Sequence, residues 1–330
     1  MSDIQSAEEY RMRRPAVQAR RGLTSGLATV VAVTLLLTPA WSAPAFAAAG
    51  AQERFPSPEA AATALVDAAR AGDKARLLAI LGPQAGALIS SGDEIADRRS
   101  RERFVERYEE ANRLVAASQG KVVLSVGTDD WPLPIPLVQE AAGWRFDTAA
   151  GAQEILNRRI GRNELSAIQV CLAYVDAQRE YFARDPDGDG LREYAQHFAS
   201  RSGKRDGLFW DTQAGEAPSP LGPLVAKARG DGYPGRRGGG GRSPYWGYYY
   251  RILKAQGEHA PGGAYDYAVR GHMIGGFALV AYPAEYGASG VMTFVVNHDG
   301  VVHQKDLGPN TGAIARAMSR FDPDGTWNRP

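Results

Sequence analysis

The sequence predicts an α+β protein of two domains, each passing from helices into a short antiparallel sheet. Three observations carry this. Helical periodicity over residues 57–117 gives way to β-branched runs over 121–148. A longer helical pattern at 163–183 leads, after a polar and glycine-rich interval, to strand-like runs between 245 and 305. At 330 residues the chain also exceeds one ordinary domain.

Residues 1–47 read as an export signal. Arg11, Arg13, Arg14, Arg20 and Arg21 precede the apolar run Gly26–Leu37, and Ala45-Phe46-Ala47 matches a small-residue cleavage pattern. The run is short for a bilayer span. The expected mature chain begins at Ala48, contains no membrane span, and is periplasmic or secreted. Its charge is nearly balanced, as is the +1 of the whole sequence, so nothing favours capture of nucleic acid. The one cysteine, Cys171, forms no intramolecular disulfide and lies in a helical pattern beside Val170 and Leu172, which suits a buried, inert thiol.

The first domain is expected over 48–160. Ser57 suits an N-cap, Pro58 the first helical position and Glu59 the positive helix end; Gly72-Asp73 and Gly82-Pro83 are stops. A further amphipathic helix is expected from Ala96 to Ala117, with Phe104, Tyr108, Ala111 and Val115 on one face. The runs 121–127, 131–140 and 143–148 follow as strands, the prolines confining the middle one to a sheet edge. Helices followed by a sheet ending in Trp144-Arg145-Phe146-Asp147 resemble the nuclear transport factor 2-like cone.

The second domain is expected over 161–330. Its helix, Asn163–Ala183, carries apolar residues on two faces and so packs on both sides. A short helix is expected over 191–200. Residues 202–244 are rich in Gly, Pro and Arg, with the densest glycines at about 230–244, and read as a loop. Strands are expected at 245–255, 274–283 and 290–297, and Asp299-Gly300 marks a hairpin.

Two resemblances follow. The stretches LISSGD, DDWPLPIPLV, GWRFDT, RRIGRNEL, DGDGLREYAQ, GKRDGLFW, PSPLGPLVA and MIGGFALVAYPAEYGASGVMTFVVNHDGVVHQKDLG are similar to a bacterial family of exported proteins known as domain of unknown function 2950. The segment from Asn163 to Phe198, with the strands after it, resembles the soluble part of type IV pilins and pseudopilins, where a long helix packs on an antiparallel sheet. A whole domain stands here in place of the pilin's apolar helix half.

The segment RDPDGDGLRE carries the most specific chemistry. Asp185, Asp187 and Asp189 occupy positions 1, 3 and 5 of a calcium loop, Gly190 the sharp turn at 6, the Leu191 carbonyl position 7 and Glu193 position 9. Position 12 is Gln196, so the bidentate glutamate of a full EF-hand is missing and Ca2+ affinity should be weak. The same residues also make a plain Asp/Gly turn in which Asp189 caps the next helix. His197, His259, His272, His298 and His303 show no helical metal spacing. His298-Asp299 offers an acid–base pair, and Tyr245–Tyr250 places rings on both strand faces, one for a core and one for recognition. The resulting expectation is an exported, non-catalytic binding or assembly module of the cell envelope, its partner an envelope protein or glycan. The alternative is an envelope hydrolase using His298 and Asp299 or the tyrosine cluster.

Overall fold

The first helix begins where Ser57 and Pro58 require. The computed structural model describes residues 52–233 and 243–330; residues 1–47, where an export signal is expected, and the glycine run Gly238–Gly241 lie outside them. In α1 (Pro58–Ala71) the Ser57 hydroxyl accepts from the Ala60 amide, and Gly72 ends the helix in the left-handed region. Asp73 caps α2 (Lys74–Leu81), α3 is the single turn Gly86–Ile89, and Asp93 caps α4 (Glu94–Glu110).

Helix α4 stops seven residues before the expected Ala117. Residues Asn112–Ser118 form strand β1 instead, paired antiparallel with β2 (Lys121–Val126), Leu114 opposite Leu124 and Val115 opposite Val123. The apolar spacing suits either structure, and pairing with a β-branched neighbour decides it. The prolines break the next run into β3 (Trp131–Pro132) and β4 (Leu137–Glu140), with Pro134 and Pro136 between them. Strand β5 is Gly143–Phe146, and the order β1-β2-β4-β5 puts β4 inside the sheet, not at the expected edge. Because the prolines precede the strand, its ladder loses no donor.

Helix α5 (Thr148–Arg184) has 37 residues and starts fifteen positions before the expected Asn163. At 1.5 Å per residue it is about 55 Å long. Its first half packs near Pro134: a Cβ on Gly151 would stand 2.3 Å from the Pro134 carbonyl oxygen. Alanine normally stabilises a helix interior by up to about 1 kcal/mol over glycine. Here the sign should reverse, Gly151→Ala costing about 2 kcal/mol by overpacking against backbone. Urea unfolding checks this, and a stabilised variant would refute the contact.

Two hydrophobic clusters share the compact unit Ala47–Pro330. One gathers Leu65, Ile80, Leu124, Leu137 and Phe146 between α1, α2 and the first sheet, with Ile155 of α5 against it. The other holds Cys171, Tyr174, Tyr181, Phe277, Phe294 and Phe321. Its sheet has the order β13-β12-β11-β6 from β6 (Tyr248–Leu253), β11 (Ala278–Pro283), β12 (Met292–Asn297) and β13 (Val302–Asp306), all antiparallel. Every residue of β11 is buried, as a central strand covered on both faces demands. Small two-residue strands β7 (Ala255–Gln256), β8 (Tyr265–Asp266), β9 (Ala268–Val269) and β10 (His272–Met273) lie between β6 and β11, and α7 (Thr311–Ala317) follows the sheet. The second half of α5 packs on this sheet, the Tyr174 hydroxyl donating to the Ala278 carbonyl at 3.3 Å. Cys171 is fully buried there and its thiol is pushed up to about 12 by desolvation, an inert group at neutral pH.

Two local expectations change. Helix α6 (Gly222–Gly230) forms inside the segment expected to be loop, with Pro223 in its first turn. The helix expected over 191–200 does not form. Gln178 of α5, fully buried, binds both backbone groups of Ala195: its Nε2 donates to the carbonyl and its Oε1 accepts from the amide, each at 2.8 Å. The side chain thus acts as a strand neighbour and holds the segment extended. Tyr194 meanwhile stacks on Phe182 at 4.8 Å between ring centres. No helix among the described residues is long and apolar enough to cross a membrane.

Candidate functional site

The loop after α5 begins with Asp185, which ends the helix at φ 47° while its amide donates to the Tyr181 carbonyl. This αL residue turns the chain so that the next two aspartates fold back toward the first. Asp185 Oδ2 accepts from the Gly190 amide at 3.2 Å, and Asp189 Oδ1 accepts from the Leu191 amide at 2.7 Å. Gly190 has φ 83°, the left-handed turn that position 6 requires. Since the helix expected after the loop is absent, Asp189 closes an Asx turn and caps nothing.

One oxygen from each of Asp185, Asp187 and Asp189 lies within 4.8 Å of the other two. Calcium–oxygen distances run to about 2.5 Å, so oxygens sharing one ion stand at most about 5 Å apart. The three carboxylates meet that limit as they are. Asp185 Oδ1 is buried without a hydrogen-bond partner. Desolvation raises the Asp187 carboxyl above its ordinary value, helped by a hydrogen bond with Asp185 and by the charges of Asp189 and Glu193. Burial acts first on this carboxyl, and its acidic neighbours add to it.

The structure treats the five expected calcium ligands unequally. Asp185, Asp187 and Asp189 converge; they are the only such group of three potential metal ligands among the described residues. Leu191 follows directly, its amide engaged by Asp189. Glu193 turns to His272, whose Nδ1 lies 2.8 Å from Glu193 Oε2, so the position-9 carboxylate is shared with an imidazole. A cleft of about 720 Å³ opens beside the loop. Asp187, Asp189 and Glu193 line it with His272, and Arg201, Lys204 and Arg205 contribute cationic groups. His272 lies 79 residues after Glu193, and no local motif announces it or the basic residues as part of the cleft.

The residues of the two alternative sites lie at the hairpin between β12 and β13 and at the start of β6. His298 Nε2 stands 3.9 Å from Asp299 Oδ1, and the ring packs edge-on against Tyr267 and Phe277. Asp299 and Asn297 bond each other across the hairpin turn, and Gly300 closes it at φ 80°. In the tyrosine cluster the expected alternation starts only at Tyr248, because Trp246 and Gly247 make a turn at φ 52° and 75°. Tyr248 is fully buried and donates to the Met292 carbonyl at 2.9 Å; Tyr250 donates to the Tyr245 carbonyl. Burial pushes both hydroxyls well above the ordinary tyrosine value, which keeps them protonated at neutral pH. Tyr249 lies against Tyr282, 5.6 Å between centres.

Fold and loop together define an α+β protein with an aspartate turn at the wall of a polar cleft. The chain belongs to the family described as Protein of unknown function (DUF2950), whose model matches residues 52–329. No curated protein and no solved structure matches it.

Proposed function

We propose that the protein is an exported, non-catalytic binding module of the cell envelope, with calcium held by Asp185, Asp187 and Asp189 at the wall of its ligand cleft. The convergence of three carboxylates to within 4.8 Å carries this reading. A cation there would partner the orphaned Asp185 oxygen and relieve the repulsion on Asp187. The Leu191 carbonyl and water would complete the shell, and Glu193 would join it only by leaving His272. The cleft's mixture of acids and bases suits a polar partner, an envelope glycan or a protein surface. Export rests on the arginines and apolar run of residues 11–47. The long helix on an antiparallel sheet supports the pilin-like, assembly side of the reading. The packing of His298 and the buried tyrosine hydroxyls weigh against a hydrolase.

A calcium titration of thermal stability tests the proposal. With affinity in the extracellular range, calcium at ten times Kd should stabilise by about 1.4 kcal/mol. For a chain of this size the melting temperature then rises by about 2 °C. Asp187→Asn with Asp189→Asn should abolish the response. The metal-free double variant should also be at least as stable as the parent. A carboxyl raised on folding gives stability below its unfolded pKa and loses it as pH rises through the folded one, so Asp187 burdens the metal-free protein at neutral pH. A parent melting temperature that stays fixed at about 10 mM calcium, well above the extracellular Kd range, sinks the proposal.

A further inference from the structure

A second cavity, of about 240 Å³, lies among α1, α2, α4 and the first half of α5, apart from the aspartate loop. Its floor is apolar: Leu77, Leu81, Ile89, Leu133 and Ile135 are buried, and Phe104 packs on the same cluster. Its lining includes four arginines, Arg101, Arg158, Arg159 and Arg162, against one acid, Asp97. Asp97 is already engaged, one oxygen accepting from the Ser91 amide at 2.9 Å and the other from its hydroxyl at 2.7 Å.

The arginines are not equivalent. Arg159 is spent on structure, donating to the Ala87 and Leu88 carbonyls. Arg158 pairs with Glu154 at 2.6 Å and stands over the Trp131 ring at 5.8 Å. Arg162 has no acceptor among the described residues, and Arg101 Nη1 is buried without one. Desolvation, then the like charges of Arg103 and Arg158, press the Arg162 guanidinium below its ordinary value. The buried Arg101 Nη1 lacks an acceptor, and the exposed Arg162 guanidinium stands unpaired on the same lining above an apolar floor, so an anion there meets donors that no acid of the cavity serves.

We infer that this cavity binds a medium-chain fatty acid, its alkyl tail on the Leu77–Leu81–Ile135 floor and its carboxylate at Arg101 and Arg162. The volume matches roughly eight water-sized groups, the bulk of a tail of about that many methylenes. A carboxylate accepts two parallel N–H donors from a guanidinium and brings the opposite charge, whereas an alcohol offers one neutral oxygen and an ammonium head no acceptor at all.

The test is isothermal titration of the full chain with decanoate, in EDTA so that the aspartate loop takes no part. Decanoate should bind, and each methylene removed from the tail should weaken binding about fourfold. Decyltrimethylammonium, with the same tail and opposite charge, should bind at least about tenfold more weakly. Arg162→Gln changes an exposed residue, so folding is not at risk, and it should weaken decanoate about tenfold or more. Ser100→Trp, at an exposed position on the cavity lining, should block binding while leaving the melting temperature near that of the parent. Equal affinity for the two head groups overturns the inference, as does unchanged decanoate affinity in Arg162→Gln. A dimer in sedimentation that decanoate dissociates would make a second copy the natural occupant, and that also overturns it.

Discussion

Replacing Asp93 by alanine is expected to destabilise the protein by about 5 kcal/mol, the largest effect of any single side chain considered. The residue is 1% exposed and its carboxylate serves three donors. Oδ1 accepts from the Ala96 amide at 3.0 Å, capping α4. Oδ2 accepts from the Tyr233 hydroxyl and from the Gly247 amide, each at 2.8 Å. Tyr233 in turn accepts from the Trp246 amide at 3.2 Å. One carboxylate therefore joins the helix that borders the arginine-lined cavity to chain on both sides of residues 234–242. Loss of a cap alone costs about 1 kcal/mol. Hydrogen bonds to a charged acceptor contribute about 1.5–3 kcal/mol each, and here the orphaned donors are buried. Asp93→Asn keeps one acceptor oxygen but presents an NH2 to a donor, so it should fall about midway. Urea denaturation with an unchanged m-value is the measurement. An alanine variant within about 1 kcal/mol of the parent would mean that the Asp93 hydrogen bonds contribute little, contrary to the cost of leaving buried donors unpaired.

What the sequence made legible was local. Ser57, Pro58 and Gly72 announce α1 within fifteen residues, and Asp299-Gly300 announces its hairpin, because caps and turns are decided by neighbours in the chain. The aspartate loop was legible for the same reason: its converging carboxylates lie within five residues. What stayed hidden depends on distant partners. Asp93 caps α4 through an amide three residues on, but its other partners are 140 and 154 residues away. Arg158, Arg159 and Arg162 have helical spacing visible in the sequence, yet their floor comes from residues 65–135. Without that floor, three arginines on one helix face read as a solvated surface. The 112–118 run fits a helix as well as a strand until β2 is supplied beside it. The glycines and prolines of 202–244 concealed α6 because helix breakers surround its nine residues and begin and end it.

The extended path of residues 191–200 gives the second large effect. Gln178→Leu, nearly isosteric and placed on a helix, is expected to cost about 4 kcal/mol. The leucine leaves the Ala195 amide and carbonyl, both bonded at 2.8 Å in the parent, without partners in a buried position. Each orphan costs about 1–3 kcal/mol, and the added apolar contact of leucine offsets only part of that. Tyr174 also loses the Gln178 amide at 2.9 Å but keeps the Ala278 carbonyl, so it adds little. Ala195 lies two residues after Glu193, and its release should loosen the aspartate turn. Calcium should therefore raise the melting temperature of Gln178→Leu less than that of the parent. Gln178→Glu separates hydrogen bonding from packing. Protonated, the carboxyl donates to the Ala195 carbonyl and accepts from its amide, as the amide did. Ionised, it sets a charge against the Ala195 carbonyl in a fully buried position. Burial should raise the pKa of this glutamate on folding. Its stabilising contribution is then present below the unfolded glutamate pKa of about 4.3 and lost as pH rises through the folded value. Relative to the parent, Gln178→Glu should be close in stability near pH 4 and several kcal/mol weaker near pH 7, by roughly the cost of a buried unpaired charge. A leucine variant as stable as the parent, or a glutamate variant whose deficit does not grow with pH, would show that the segment is held by something other than Gln178.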